Sequence, residues 1–272
     1  MLDIEIPPSI LSKAFDLLRA FSSRDRVMTL SDLARASGLP KSTVHRLLAR
    51  LVELGAIEPH GAGYKIGLEL FQMGSVTPAY AMRDRAMPYL AAVHRWTAHT
   101  VSLAVLRQFN VVYLERLAPP GGPSGPYGVG SRLPASCTAI GKALLAYERP
   151  DNLANLLPDP LPALRPRSIT DVEELKRQLR AIRRGELARS ADEAVPGIAS
   201  IASPIVVKGC AVGAISVAYR LDTELDPRIG SMLRETTARL AADIRAGLSD
   251  RRAPWLPPNV TDPEVNLLRN VS

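Results

Sequence analysis

Residues 29–54 read TLSDLARASGLPKSTVHRLLARLVEL, and this stretch predicts two helices joined by a tight turn. Thr29 places a hydroxyl cap at the start of the first helix, with the carboxylate of Asp32 three residues on. Gly38 ends that helix because glycine readily takes the left-handed conformation of a C-cap. Pro40 lies where the second helix is expected to begin, since proline is tolerated at the first helical position. Two helices joined by so short a turn are typical of a helix-turn-helix.

The helix after Pro40 separates apolar from cationic side chains. Its apolar residues recur every three or four positions and so form one inward face: Val44, Leu47, Leu48, Leu51, Val52 and Leu54. The outward-facing set is Lys41, Ser42, Thr43, His45, Arg46, Ala49 and Arg50. No acid occurs between residues 33 and 52, where the cations are Arg35, Lys41, Arg46 and Arg50. Because lysine and arginine neutralise phosphates and an arginine fork pairs with guanine, this face predicts a surface that reads double-stranded DNA.

The flanking segments complete a winged helix-turn-helix over residues 9–67. Apolar residues at helical spacing predict a helix over residues 9–22. Residues 56–58 and 64–66 lie on either side of His60-Gly61-Ala62-Gly63, which predicts a small hairpin. On this wing we expect His60 and Lys65 to reach the DNA backbone beside the recognition helix.

A second domain is predicted after a connector at residues 68–80, which contains a helix over 68–73 and a break at Val76-Thr77-Pro78. Residues 81–250 combine helices with β-branched runs that pair as hairpins, 100–106 with 111–117 and 200–207 with 210–219. This pattern predicts an α/β domain with an antiparallel sheet, so the fold class of the chain is α+β. The proline-rich residues 251–272 are expected to be disordered.

The helices of this domain are expected at residues 83–98 and 138–147, from a capping box at Thr170-Asp171-Val172-Glu173 to Gly185, and after Asp226-Pro227. Residues 151–167 are expected to be a proline-punctuated connection without a helix.

The bulk composition favours a cytoplasmic protein with a polyanionic partner. A chain of 272 residues suggests two domains, and its formal charge of +7 favours nucleic acid or an acidic surface. The first eight residues contain Asp3 and Glu5 and lack the features of a signal peptide. No apolar run is long enough to span a bilayer. Cys137 and Cys210 are too few for a disulfide framework and are not spaced as metal ligands.

The motifs of both domains together resemble the IclR family of bacterial regulators. In the first domain the resemblance rests on Ser12-Lys13-Ala14, Leu33-Ala34, the run GLPKSTVHRLL at 38–48, and Gly63-Tyr64. In the second it rests on GSRLP at 130–134, TAIGKALLA at 138–146, Pro196-Gly197, IASPI at 201–205 and VGAISV at 212–217. The resemblance implies a transcriptional regulator with a GAF-like or PAS-like effector domain. It further implies dimers that pair through the DNA-binding domains, or tetramers that also use the effector domains.

A small-molecule pocket follows from the same resemblance, between the sheet and the helix that begins near Thr138. Carried over position by position, its lining is Leu133, Ala139, Ile140, Ser190, Ile198, Ser200, Ser216 and Ala218. Some family members have Asp at Ser190, Cys at Ser200 and a second Ser at Ala218, and Ser136 stands where His or Tyr is frequent. The expected effector is a small organic or aromatic acid, its carboxylate held by free N–H groups at the start of the helix. Thr138 and Ser200 can equally be capping and packing residues.

The sequence leaves two alternatives to an effector-controlled regulator. A ligand-independent regulator would keep a degenerate pocket. An enzyme would need a nucleophile with a base, yet His45, His60, His94 and His99 lie apart from Cys137, which we expect to be a buried structural residue. Asp192 and Glu193 are expected to be solvated loop carboxylates. We therefore expect no catalytic residues, no metal and no cofactor, and Gly128-Val129-Gly130 lacks the third glycine of a dinucleotide loop.

Overall fold

The computed structural model describes residues 9–21, 26–122 and 127–248. The chain divides into two compact units between Thr77 and Pro78, and each unit is described by itself. The tail at 251–272, for which disorder was expected, lies outside the described residues.

The N-terminal unit is a winged helix-turn-helix, as predicted. Its elements are α1 (Ile10–Ala20), α2 (Leu30–Ser37), α3 (Lys41–Glu53), β1 (Ile57–His60), β2 (Gly63–Ile66) and α4 (Leu68–Ser75). The strands β1 and β2 pair antiparallel, with His60 opposite Gly63 at the turn. Leu17 of α1, Leu33 of α2 and Leu48 of α3 meet in one apolar core, which fixes α3 and leaves its opposite face to solvent.

The ends of the two helices in the motif confirm most of their predicted caps. The Thr29 hydroxyl accepts from the Asp32 N–H at 3.2 Å, and the Asp32 carboxylate accepts from the Thr29 N–H at 3.3 Å, which forms a capping box. Gly38 has a φ of 69°, the left-handed conformation expected of it. Pro40 was expected to be the first residue of α3, but its ψ of 140° is extended, so the helix begins one residue later, at Lys41.

The C-terminal unit is built on a six-stranded antiparallel sheet. Its strands are β3 (Thr100–Arg107), β4 (Asn110–Leu117), β5 (Arg132–Pro134), β6 (Ala188–Ala191), β7 (Ile198–Val207) and β8 (Cys210–Arg220). They lie in the order β5-β4-β3-β8-β7-β6. Both predicted hairpins, β3–β4 and β7–β8, are confirmed. The edge strands β5 and β6 escaped prediction because three or four residues are too few to show a periodicity.

Helices cover both faces of this sheet. On one face α5 (Pro78–Thr97) and α9 (Arg228–Leu248) enclose a core with β3, β7 and β8. On the other face lie a 3-10 turn (Ala135–Cys137), α6 (Ala139–Leu145), α7 (Pro150–Leu156) and α8 (Val172–Arg183). All seven residues of α6 are buried. Gly141 within it approaches the 3-10 turn so closely that a Cβ would lie 2.3 Å from the carbonyl oxygen of Ala135.

Three predicted boundaries in this unit were wrong. Residues 151–167 were expected to contain no helix, but Pro150 opens α7, where its fixed φ suits the first helical turn. Asp171 alone caps α8, accepting from the N–H groups of Glu173 and Glu174, so the proposed capping box with Thr170 is absent. Helix α5 begins at Pro78, five residues before the predicted start at Arg83, because proline is tolerated in a first turn. In the part of the chain that the structure describes, no helix is long and apolar enough to cross a membrane.

A buried ion pair joins α6 to the loop after β6. The Lys142 ammonium is fully buried and donates to the Glu193 carboxylate at 2.8 Å and to the Arg189 carbonyl oxygen at 3.0 Å. Burial lowers the pKa of Lys142 and raises the pKa of Glu193, and the ion pair opposes both shifts. Glu193 was expected to be solvated. This prediction was wrong, because the loop after β6 brings Glu193 within hydrogen-bond distance of the Lys142 ammonium.

We expect Lys142→Met to lower the free energy of unfolding by about 3–5 kcal/mol, because it leaves the Glu193 carboxylate buried without its cation. The double variant Lys142→Met/Glu193→Leu should recover much of this loss, since it removes both charges. Urea unfolding followed by circular dichroism measures both effects. The control is Lys176→Met, which breaks an exposed pair with Glu173 and should cost about 1 kcal/mol at most. Equal destabilisation by the two single variants would contradict this account of the pair.

Candidate nucleic-acid interface and effector cavity

The outward face of α3 presents most of the residues predicted to read DNA. Val44, Leu47, Leu48 and Leu51 are buried, so the helix has one fixed orientation on the core. On the opposite face Lys41, Ser42, His45, Arg46 and Arg50 are exposed and Thr43 is half-buried. The small hydroxyl residues lie in the first turn, the end of a recognition helix that contacts base edges in known complexes. In the wing, His60 is exposed and Lys65 is half-buried.

The positive charge of this face is less uniform than the sequence suggested. Acids just outside the acid-free stretch neutralise some of its cations: Arg35 lies 2.6 Å from Asp32, and Arg50 contacts Glu53. Lys65 pairs with Glu58 at 3.1 Å. Among the described residues, Lys41 and Arg46 have no carboxylate partner. They are therefore the cations most available to a phosphate or a base.

A small cavity lies in the C-terminal unit between the sheet and the start of α6. Its volume is about 50 Å³. Of the residues implied by the family resemblance, those that line it are Leu133, Ile140, Ser190, Ile198, Ser200, Ser216 and Ala218. Ala139 does not line it, because its side chain is fully buried in the core under the sheet.

Strand register explains why residues far apart in sequence share this cavity. Thr100 lies opposite Ala218 and Ser102 opposite Ser216, while Ser200 is flanked by Ser190 and Ala218. Directly opposed residues of antiparallel strands project to the same face. Sequence reasoning missed several lining residues: Thr100, Ser102, Tyr113, Tyr127, Thr138, Ala194 and Val195. For Thr100 and Ser102 a signal existed, since alternate residues of a strand share a face and both are polar in an otherwise apolar run.

The lining is polar without being charged: it contains hydroxyl groups and no acidic or basic side chain. The hydroxyls of Ser190 and Ser200 lie 3.0 Å apart and satisfy each other. Thr100 Oγ1 is buried and has no hydrogen-bond partner within the described residues, whereas the Tyr127 hydroxyl is hydrogen-bonded to Arg116. Because buried polar groups are nearly always paired, the Thr100 oxygen is the lining atom that lacks a partner.

Thr138 and Cys137, two polar residues at the start of α6, have structural partners. The Thr138 hydroxyl accepts from the Gly141 N–H at 3.0 Å, so that N–H is not free for a carboxylate as had been expected of the helix start. Burial raises the pKa of both Tyr113 and Tyr127, which keeps each phenol protonated and able to donate. Cys137 is buried and donates to the Pro162 carbonyl oxygen at 3.2 Å, as a structural cysteine would.

The residues considered for catalysis are also held by the fold. His94 Nδ1 lies 2.8 Å from the His99 carbonyl oxygen, and burial lowers the pKa of His99. Asp192 accepts from the Gly197 N–H at 2.9 Å within the loop after β6. Over residues 9–21, 26–122 and 127–248, no three His, Cys, Asp or Glu side chains are grouped as a metal site would require.

Transcriptional regulators match most of the length of this chain. The chain is 28% identical over 246 residues to the glycerol operon regulatory protein of Streptomyces coelicolor, covering 87% of this chain and 96% of the relative. It is 28% identical to the transcriptional regulator XynR of Escherichia coli, covering 72% and 79%. Among solved structures, an IclR homolog from Microbacterium hydrocarbonoxydans, complexed with 4-hydroxybenzoate, is 30% identical. It superposes with a TM-score of 0.79 over 88% of this chain and 100% of that one.

Two family models cover both units. One describes the IclR helix-turn-helix domain and matches residues 10–61, and the other describes the C-terminal region of IclR-type bacterial transcriptional regulators and matches residues 75–242. Together they span the DNA-reading motif, the sheet and the helices that enclose the cavity. The chain therefore belongs to the IclR family of bacterial, DNA-binding transcriptional regulators.

Proposed function

We propose that this regulator binds double-stranded operator DNA through residues 9–67 and that a small organic acid bound within residues 81–250 changes its affinity for that DNA. The observation that carries the proposal is the small, hydroxyl-lined cavity, in which the buried Thr100 hydroxyl has no partner within the described residues. It has no charged group for catalysis and it lies in the family's effector domain. We assign the chain no catalytic residue and no cofactor, and we place its action in the cytoplasm, where its DNA would be.

In the DNA-bound state, the first turn of α3 enters the major groove. There Ser42 and Thr43 lie against base edges, Lys41 neutralises a phosphate, and Arg46 donates to a guanine. His45 and Arg50 lie further along the same exposed face, with the Arg50 charge shared with Glu53. His60 and Lys65 contact the flanking backbone from the wing. The free cations and the exposed hydroxyls of α3 support these assignments.

For the effector, the unpaired hydroxyl of Thr100 favours a ligand that carries a polar group of its own. The carboxylate of a small acid would reach the N–H groups of Ala139 and Ile140, since the first N–H groups of a helix have no partner within it. The cavity of about 50 Å³ suits an acid of a few carbons, because a cavity of roughly 150 Å³ is needed to hold a benzene ring. An aromatic acid such as 4-hydroxybenzoate, which the Microbacterium homolog binds, would have to displace part of the lining.

Self-association is supported by apolar side chains that the N-terminal unit leaves in solvent. On α1, Leu11 and Phe15 are 71% and 57% exposed, and on α4, Phe71 and Met73 are each 61% exposed. Large apolar side chains left in solvent on two helices are typical of an interaction surface. We propose that two copies pair through these helices, which would place two recognition helices on consecutive half-sites. Residues 68–80, which contain α4, would then link the pairing of the copies to the effector unit.

The unpaired cations of the recognition helix α3 can be removed one at a time. Arg46→Ala should weaken binding to a specific operator by about 1–3 kcal/mol, because a bidentate contact to guanine is lost. Lys41→Ala should weaken binding to operator DNA and to unrelated DNA by the same factor. It should also reduce the salt dependence of the binding constant by about one released counterion. Fluorescence anisotropy at several salt concentrations measures both. The charge-matched control is Arg177→Ala in the C-terminal unit, which should change neither quantity. Unaltered operator affinity in Arg46→Ala would remove α3 from the reading surface.

Ligand binding in the cavity can be tested with a screen of small acids. Small aliphatic and aromatic acids, screened by thermal shift, should include one that stabilises the protein and changes operator affinity by about 1–3 kcal/mol. Thr100→Val and Tyr127→Phe should each lower the affinity for that ligand by about tenfold, because each removes one hydroxyl group and leaves the shape of the side chain nearly unchanged. Ser216→Phe should fill the cavity and abolish the response while DNA binding persists.

The outcomes separate the alternatives. A ligand that stabilises the Ser216→Phe variant as well as the unaltered chain binds elsewhere. If no acid in the screen binds while operator binding is intact, the chain is a ligand-independent regulator with a degenerate pocket.

Charged substitutions on α1 and α4 test whether two copies pair through these helices. Phe15→Glu combined with Phe71→Glu should convert the protein to monomers in analytical ultracentrifugation, because the charges oppose burial of that face. Operator affinity should fall with it. Leu221→Glu, at an exposed leucine of the other unit, is the matched control and should leave the mass unchanged. A double variant that still sediments as a dimer would show that the copies pair through other residues.

A further inference from the structure

A second and larger opening lies on the C-terminal unit, apart from the effector cavity. It is a groove of about 630 Å³ between the end of α6, α7 and the outer face of α8. No residue that lines it also lines the effector cavity. Its volume falls within the range of about 300–1,000 Å³ that is usual for small-ligand pockets.

The floor of the groove is hydrocarbon. It is formed by Leu145 and Ala146 at the end of α6, Pro150 and Leu153 of α7, and Leu179 of α8. Leu145 and Leu179 are buried, and Leu153 packs against the same core. The groove therefore offers a firm apolar surface, because its floor is the outer layer of the core.

The rim of the groove is cationic. Lys176, Arg180, Arg183 and Arg184 line it from α8, and Glu148 is the acid among its lining residues. Lys176 is engaged by Glu173 at 2.8 Å, and Arg183 donates to the Ala146 carbonyl oxygen at 3.1 Å while it stacks over Tyr147. Arg180 and Arg184 are exposed and have no carboxylate partner over the described ranges. Being four residues apart, they lie on one side of the helix, where two like charges repel each other.

An occupant must satisfy both features at once. A purely apolar ligand would form no ion pair with Arg180 or Arg184. A purely ionic ligand would bury no apolar surface against the leucines of the floor. We propose that this groove binds an amphiphilic anion of the fatty-acid class. The carboxylate would accept from Arg180 and Arg184 in charge-assisted hydrogen bonds, and the alkyl chain would lie over Leu153 and Leu179.

The test uses the full chain and decanoate below its critical micelle concentration, with decyltrimethylammonium as the cation of matched chain. Isothermal titration calorimetry should show binding of decanoate and none of the cation. Arg180→Ala/Arg184→Ala should weaken decanoate by about tenfold or more, because two charged donors are lost. Arg177→Ala removes a charge from the same helix outside the groove lining, where that arginine contacts Glu174, and should change nothing. All three sites are exposed, so the variants should fold.

Two further variants locate the bound chain. Leu153→Glu should also weaken decanoate, while Ser216→Phe, which fills the effector cavity, should not. Loss of binding in Ser216→Phe with retention in the double arginine variant would place decanoate in the effector cavity and overturn the proposal. Equal binding of the cation and the anion would overturn it too. So would a change of oligomeric state in the arginine variant without decanoate binding, since the groove would then be a contact between copies.

Discussion

The ion pair between Lys142 and Glu193 holds together the elements that surround the cavity of the C-terminal unit. Lys142 lies at the middle of α6, and its ammonium also holds the carbonyl oxygen of Arg189 in β6. Glu193 begins the loop that supplies Ala194 and Val195 to the cavity. Its own carbonyl oxygen accepts from the Ser168 hydroxyl at 2.6 Å, which adds the segment before α8. The buried lysine thus joins α6, the edge strand β6 and the loop after it beside the cavity, and burying its charge is costly unless its partners are in place.

The same helix connects two openings of different character. The first turn of α6 contributes Ile140 to the effector cavity, and its end contributes Leu145 to the outer groove. A helix that is buried throughout moves as a unit, because its neighbours are close-packed on all sides. An acid in the cavity and an anion in the groove would therefore contact opposite ends of one helix. By thermodynamic reciprocity, any influence of one ligand on the affinity for the other would be equal in both directions.

Sequence reasoning recovered the architecture where local signals are strong. The capping box at Thr29, the left-handed Gly38 and the apolar stripe of α3 lie within a few residues of one another and determine the motif on their own. The hairpins β3–β4 and β7–β8 are likewise local. What could not be predicted depends mostly on distant contacts, such as the pairing of Glu193 with a lysine 51 residues away and the pairing of the short edge strands. The neutralisation of Arg50 by Glu53 is local, at three residues along α3, and was missed because Glu53 lies just outside the acid-free stretch.

The cavity illustrates the same division. Family resemblance located seven of the fourteen described residues that line it, but it also placed Ala139 there, although the pitch of α6 turns that side chain into the core. It missed Tyr127, which comes from a loop whose path follows no periodicity. The unpaired Thr100 hydroxyl is a property of the assembled lining, since it emerges only when strand register brings Thr100 opposite Ala218 and leaves its oxygen without a partner.

Helix α6 has no solvent-exposed residue, and Gly141 within it contacts the 3-10 turn at a distance that leaves no room for a methyl group. Such an element tolerates little change, because a larger residue anywhere on it would displace the sheet or the turn. The strand residues that face it are small and differ mainly in a hydroxyl or a methyl group, as Thr100, Ser102, Ser200, Ser216 and Ala218 do. New ligand preferences in this scaffold would therefore arise on the sheet, by exchanges that alter hydrogen bonding without altering volume. An engineer who wishes to retune the sensor should vary the strands and leave the helix alone.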